Sequence, residues 1–104
     1  MRTVVEAQTF RRSASGVWSE DERLEFISWI AANENAGDVI QGSGGLRKVR
    51  WTRPGTGKSG GARIIYFNRS ERGDLVLLLV YVKAKFDDIP LKTLLKLKEA
   101  IDGA

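Results

Sequence analysis

The stretch Leu75-Val76-Leu77-Leu78-Leu79-Val80-Tyr81-Val82 limits the possible folds of this chain more than any other. In a strand, successive side chains point to opposite faces, so a segment apolar at both parities is stable only when both faces are covered. It is also far too short to span a bilayer. The spacing therefore predicts the centre of a sheet. With 104 residues, 42% of them hydrophobic, the chain can build one compact domain around one core, residues 1–104.

The elements around this strand can be read in order. Thr3 to Phe10 reads as a first strand, with β propensity from Val4 and Val5, and Arg11 to Trp18 fits either a short helix or a turn. Ser19-Glu20-Asp21-Glu22 is a capping box that opens a helix and sets three acids against its positive end. Leu24, Ile27 and Ala31, with Ile30 beside them, give that helix an apolar face, and it ends among the Asn and Gly residues of 33–37. Gly42-Ser43-Gly44-Gly45 breaks the chain before two extended segments, Leu46 to Trp51 and Ala62 to Asn68. Arg69 to Asp74 is a polar turn into the apolar strand. Asp87 or Asp88 can cap a last helix with Pro90 in its first turn, an apolar stripe of Leu91, Leu94, Leu95 and Ile101, and Gly103 at its stop. The order strand, helix, three strands, helix defines an α+β domain, with helices packed on a small, largely antiparallel sheet.

Glycine-rich PGTGKSGG, Pro54 to Gly61, invites a phosphate-binding reading. A P-loop needs Gly five positions before Gly57 and a helix after it, but position 52 is Thr52 and Ala62-Arg63-Ile64-Ile65-Tyr66-Phe67 has strand character. The glycines fit a hairpin that needs positive φ. The chain has no Cys and no His, which excludes disulfides, thiolate or imidazole metal ligands, and a His acid or base. Its 13 acidic residues lack the spacing of a calcium loop, so no metal and no cofactor is implied. The N-terminus lacks an apolar run of signal-peptide length, and a soluble cytoplasmic protein without a membrane partner is expected.

The net charge of +4 is modest, but its distribution is uneven. Residues 46–63 hold Arg47, Lys48, Arg50, Arg53, Lys58 and Arg63 with no acid, whereas residues 19–38 hold six acids against Arg23 alone. One edge of the fold is therefore suited to a polyanion, although a basic hairpin also serves solubility.

The run GDVIQGSGGLRKVRWTRPGTGKSGGARIIYF, Gly37 to Phe67, resembles the RelE/HigB family of toxins of bacterial type II toxin–antitoxin systems. Gly-Asp-Val-Ile, then Gly-Gly-Leu-Arg-Lys-x-Arg, then Gly-Lys-x-Gly-Gly-x-Arg-Ile-Ile-Tyr match the HigB-like branch, and Val80-Tyr81-Val82-Lys83 fits as a strand end. The resemblance implies a RelE-like fold and a ribosome-dependent mRNA endoribonuclease that inhibits translation. It also implies a cognate antitoxin, expected to carry a helix-turn-helix DNA-binding domain; the acidic helix is a candidate part of its docking surface.

Cleavage of RNA through its 2′-OH needs a proton acceptor, a cationic cradle for the phosphorane and a proton for the leaving oxygen. By the resemblance, Arg63 contacts the scissile phosphate, and Lys83 and Tyr81 share the catalytic site. From strand context alone, an ion pair over an apolar surface outweighs catalysis for Arg63, a return to solvent suits Lys83 equally well, and the core rim is the commoner place for a residue like Tyr81. Arg47, Lys48, Arg50 and Lys58 are candidates for RNA phosphate contacts, Arg47 pointing away from Lys48 and Arg50 by strand parity. Trp51 can stack on a nucleotide or pack in the hairpin; Trp18 and Trp29 are assigned to the core or its margin. Some relatives carry a Tyr near the C-terminus as a candidate base, but residues 84–104 contain none, leaving Tyr66, Tyr81 or Lys83 for that role. Two other readings compete: a non-catalytic toxin of the same fold that poisons a protein such as DNA gyrase, and a small basic RNA-binding module.

Overall fold

The apolar strand finds cover on both sides, as its sequence requires. The computed structural model describes residues 2–52, 61–82 and 89–102. The chain runs β1 (Thr3–Glu6), α1 (Gln8–Ser15), α2 (Glu20–Ala32), β2 (Asp38–Val39), β3 (Arg47–Trp51), β4 (Ala62–Arg69), β5 (Asp74–Val82) and α3 (Leu91–Asp102). Among the described residues these strands form one sheet in the order β1-β5-β4-β3-β2, with β1 parallel to β5 and the other pairings antiparallel. The architecture is the expected α+β class. Lys58, Lys83, Asp87, Asp88 and Gly103, which the sequence reading placed at the loop, strand end and helix ends, lie outside the described residues. Among the described residues, no helix is long and apolar enough to cross a membrane.

Two boundaries differ from the sequence reading. The first strand stops at Glu6 instead of reaching Phe10, and Gln8–Ser15 is a helix. The Ala7 amide donates to the Leu77 carbonyl while the Ala7 carbonyl accepts from Arg11, so one residue ends the ladder and starts the helix. Phe10 and Ala14, four residues apart, then bury one face of α1. Two-residue β2, set at the sheet edge against β3, was also not anticipated.

α2 begins as its capping box dictates: Ser19 Oγ accepts from the Glu22 amide at 3.2 Å, and Glu22 Oε1 accepts from the Ser19 amide at 2.9 Å. Its buried face holds the expected Ile30 and Ala31 together with Phe26, whereas Leu24, expected there too, is 49% exposed. Aromatic packing decides this orientation. Phe26 meets Trp18 and Trp51 at ring-centroid distances of 5.3 and 5.5 Å, and Trp29 meets Trp51 at 4.9 Å. Turning Leu24 inward would rotate Phe26 away from these rings, and aromatic side chains carry the larger burial area.

Opposite residues of an antiparallel pair share a face. Val49, Ile64 and Val80 form one such row across β3, β4 and β5, and Lys48, Ile65 and Leu79 form the next row on the other face. The first face packs under α1 and α2; the second meets α3, whose Lys98 ammonium sits 5.1 Å from the Phe67 ring centre. Between Ile65 and Tyr66 the register jumps from Leu79 to Leu77, leaving Leu78 as the extra residue of a β-bulge. α1 supports it from the side: the Thr9 hydroxyl donates to the Leu78 carbonyl at 2.6 Å, and Ser13 Oγ accepts from the Val80 amide at 3.1 Å. These hydroxyls continue the hydrogen bonding of the β5 edge where β1 has ended.

The β4–β5 turn is closed by Arg69, which donates through Nε and Nη2 to the two oxygens of Asp74, each at 2.8 Å. That hydrogen bonding holds the Asp74 carboxyl below its ordinary value against the opposing effect of burial, with the charges of Arg69, Arg72 and Arg2 adding to it. Because the folded-state pKa is depressed, the stabilisation is present above the unfolded pKa, about 4, and is lost as the pH falls through the folded value. Asp74→Asn should lower stability at neutral pH by about 1.5–3 kcal/mol and flatten the acid limb of a urea-midpoint-against-pH curve. Parallel curves for variant and wild type would count against this role.

Candidate RNA-binding site

Three side chains suited to a phosphodiester lie in one row across the sheet. Arg50 of β3 is the direct partner of Arg63 of β4, and Arg63 is the direct partner of Tyr81 of β5. Directly opposed residues have Cβ atoms about 4.5–5.5 Å apart, so the row brings two guanidinium-bearing residues and a phenol together on the α3 face. Arg50 is exposed, whereas Arg63 and Tyr81 are 7% and 4% exposed. Lys48, two residues before Arg50, stands on the same face and is half-buried. The Arg63 guanidinium donates through Nη1 to the Gly61 carbonyl at 3.5 Å, and with Arg50 and the Tyr81 phenol the row gathers the planar donors and the hydroxyl that suit a phosphate.

The backbone entering β4 is set tightly. Gly61 has a φ of +70°, and a Cβ there would lie 2.3 Å from Thr52 Oγ1. Only glycine fits this approach, and it fixes where Arg63 enters the sheet two residues later.

The other candidates divide as the structure dictates. Arg47 belongs to the opposite face. Its Nη2 donates to the Asn35 and Gly37 carbonyls at 2.8 and 3.3 Å, and its Nε to the Ala36 carbonyl at 3.4 Å, so it ties down the loop between α2 and β2. Tyr66 joins the same clamp, its hydroxyl donating to the Ala36 carbonyl at 2.6 Å. Fully buried, Tyr66 has its hydroxyl pushed above the ordinary phenol value by burial, with the charge of Arg47 pulling the other way. Its hydroxyl lies on the face opposite Arg63 and is engaged by the Glu34 and Ala36 carbonyls, which sets it apart from the row. Trp51 packs on Trp29 and Phe26, on the face away from Arg63. The row can therefore be assembled from Arg50, Arg63, Tyr81 and neighbouring Lys48, while Lys58 and Lys83 lie outside the described residues.

Beside the row lies a half-open cavity of about 170 Å³ between the sheet and α3, which the sequence reading did not anticipate. Tyr81, Lys48 and Ile65 line it from the sheet, and Leu91 and Leu94 from the helix. Strand parity groups the first three residues, but the seating of α3 over them is a tertiary event with no local signal.

An α+β domain with a mixed five-stranded sheet and a cationic row on its α3 face defines a class. Its fold is similar to that of the E. coli toxin RelE, solved as a mutant in the free state, with a TM-score of 0.62 over 88% of this chain and 90% of that one. At 9% sequence identity the similarity is one of fold. No protein-family profile matches the chain.

If the row holds an anion, phosphate should stabilise the protein by linkage. At a phosphate concentration equal to its Kd the gain is ~0.4 kcal/mol, or a Tm rise of about 2 °C. In calorimetry against ionic-strength-matched chloride, Arg50→Gln and Arg63→Gln should lose this rise. Equal rises in all three proteins would place the anion elsewhere.

Proposed function

We propose that this chain is the toxin component of a type II toxin–antitoxin system, of the HigB-like branch, and that it cleaves mRNA on the ribosome. The observation that carries the proposal is the Arg50–Arg63–Tyr81 row on a fold similar to that of a RelE toxin.

In this reading the 2′-hydroxyl of one nucleotide attacks the adjacent phosphorus, the bond to the 5′-oxygen of the next nucleotide breaks, and the products are a cyclic phosphate and a 5′-hydroxyl end. Arg63 binds the equatorial phosphate oxygens and stabilises the charge that develops on them, with Arg50 sharing that load from the solvent side. Lys83 and Tyr81 exchange the protons: one accepts from the 2′-hydroxyl and the other donates to the leaving oxygen. Lys48 and Lys58 contact flanking phosphates, interactions that weaken with salt. The ribosome orients the substrate, so positioning supplies much of the rate and an isolated site with modest chemistry suffices. A cytoplasmic antitoxin with a helix-turn-helix domain holds the activity in check.

Induction in cells, with mRNA 5′ ends mapped by primer extension, tests this reading. Wild type should arrest growth and leave cuts within translated codons, Arg63→Ala should reduce cutting about 10²–10³-fold while remaining folded, and Lys83→Ala should also relieve toxicity. Tyr66→Phe should lose about 1 kcal/mol of stability and keep its cutting. Growth arrest with intact transcripts would instead favour a poison of a protein target. Equal degradation of naked and translating mRNA would remove the ribosome from the mechanism.

A further inference from the structure

We propose that the cavity between α3 and the sheet is the seat of a single nucleobase of single-stranded RNA, belonging to a nucleotide whose phosphate is held by Arg63. This rests on the reading of Arg63 as a phosphate ligand and adds to it the part of the nucleotide that the row cannot hold.

The argument is one of adjacency, size and lining. Tyr81 belongs to both features: it is the cross-strand partner of Arg63 and it walls the cavity. Lys48 does the same from β3, two residues from Arg50 on the same face. Tyr81, paired with Arg63 across the strands, therefore links the cationic row to the wall of the cavity. The volume, about 170 Å³, is of the order of the ~150 Å³ apolar cavities that accept a benzene ring. Ile65, Leu91 and Leu94 give flat apolar contact to a ring face, Tyr81 supplies an aromatic wall, and the Lys48 ammonium can donate to acceptor atoms at the ring edge.

Charge favours this occupant. Lys48 lines the cavity, and Arg50 and Arg63 belong to the adjoining cross-strand row. A planar ring tethered to a phosphate matches both parts of the surface at once, an apolar slot beside a cationic row. Leu91 is 38% exposed at the rim, so the cavity can be blocked from outside without disturbing the core.

The test uses the whole protein with methyl-labelled Ile and Leu, followed by NMR. One probe is a trinucleotide 2′-O-methylated at every ribose, which cannot be cleaved; the other is the same compound lacking its central base. The intact probe should move the Ile65 and Leu94 methyl resonances saturably and bind at least about fivefold tighter than the abasic one. Leu91→Trp should abolish the base-dependent shifts and keep the phosphate-induced Tm rise. Identical methyl shifts from the two probes would overturn the proposal; that is the result expected if the cavity takes an apolar side chain of a protein partner. Base-dependent shifts that persist in folded Leu91→Trp would overturn it as well. Cleavage in cells is a separate measurement. Base-dependent shifts without mRNA cutting would keep the base seat and discard the nuclease, and cutting without such shifts would do the reverse.

Discussion

Burial of both faces of β5 is the constraint from which the rest of the structure follows. Leu75, Val76, Leu77 and Leu78 are all fully buried, and Val80 nearly so, which demands an apolar layer on each side of one strand. α1 and α2 supply one layer and α3 the other. Phe10, Trp18, Phe26, Trp29 and Trp51 join α1, α2 and β3 in a continuous run of ring contacts, so the layer opposite the candidate site is held together by broad, stiff side chains. The face left for chemistry is the one covered only by α3.

The bulge at Leu78 sets which residues meet on that face. Counting back from the turn pair Arg69 and Asp74 without an extra residue would set Arg63 opposite Val80 and carry Tyr81 to the face of α1 and α2. With the bulge, Arg63 faces Tyr81. The Thr9 and Ser13 hydroxyls bond the Leu78 carbonyl and the Val80 amide on the β5 edge that β1 no longer covers. A pair of small polar residues in α1 thus helps to hold the geometry of a site to which they do not belong.

Much of this could be read from residues alone, and the failures have physical causes. The capping box at Ser19 and the double-sided strand are local signals with one reading each, and both hold. Alternation on β3 separated Arg47 from Lys48 and Arg50, and the structure gives Arg47 to the loop carbonyls at 35–37. The end of β1 was misjudged because Gln8, Thr9 and Phe10 suit strand and helix alike, and the hydroxyl contacts to β5 decide between them. The buried face of α2 was legible at Ile30 and Ala31 but not at Phe26, because its apolar residues surround much of the helix and only the partners identify the inner side. The bulge, and with it the Arg63–Tyr81 pairing, leaves no mark in the local sequence.

α2 and α3 lie on opposite sides of the sheet. Glu20, Asp21 and Glu25 are exposed on α2, and Lys92 and Lys96 are exposed on α3 beside the face that carries Arg50. Arg11 and Arg12 on α1 and Glu99 on α3 are exposed as well, so the contrast in charge is a local one, between α2 and the first half of α3. Near a large polyanion such a contrast repels α2 and draws the start of α3 toward the charge.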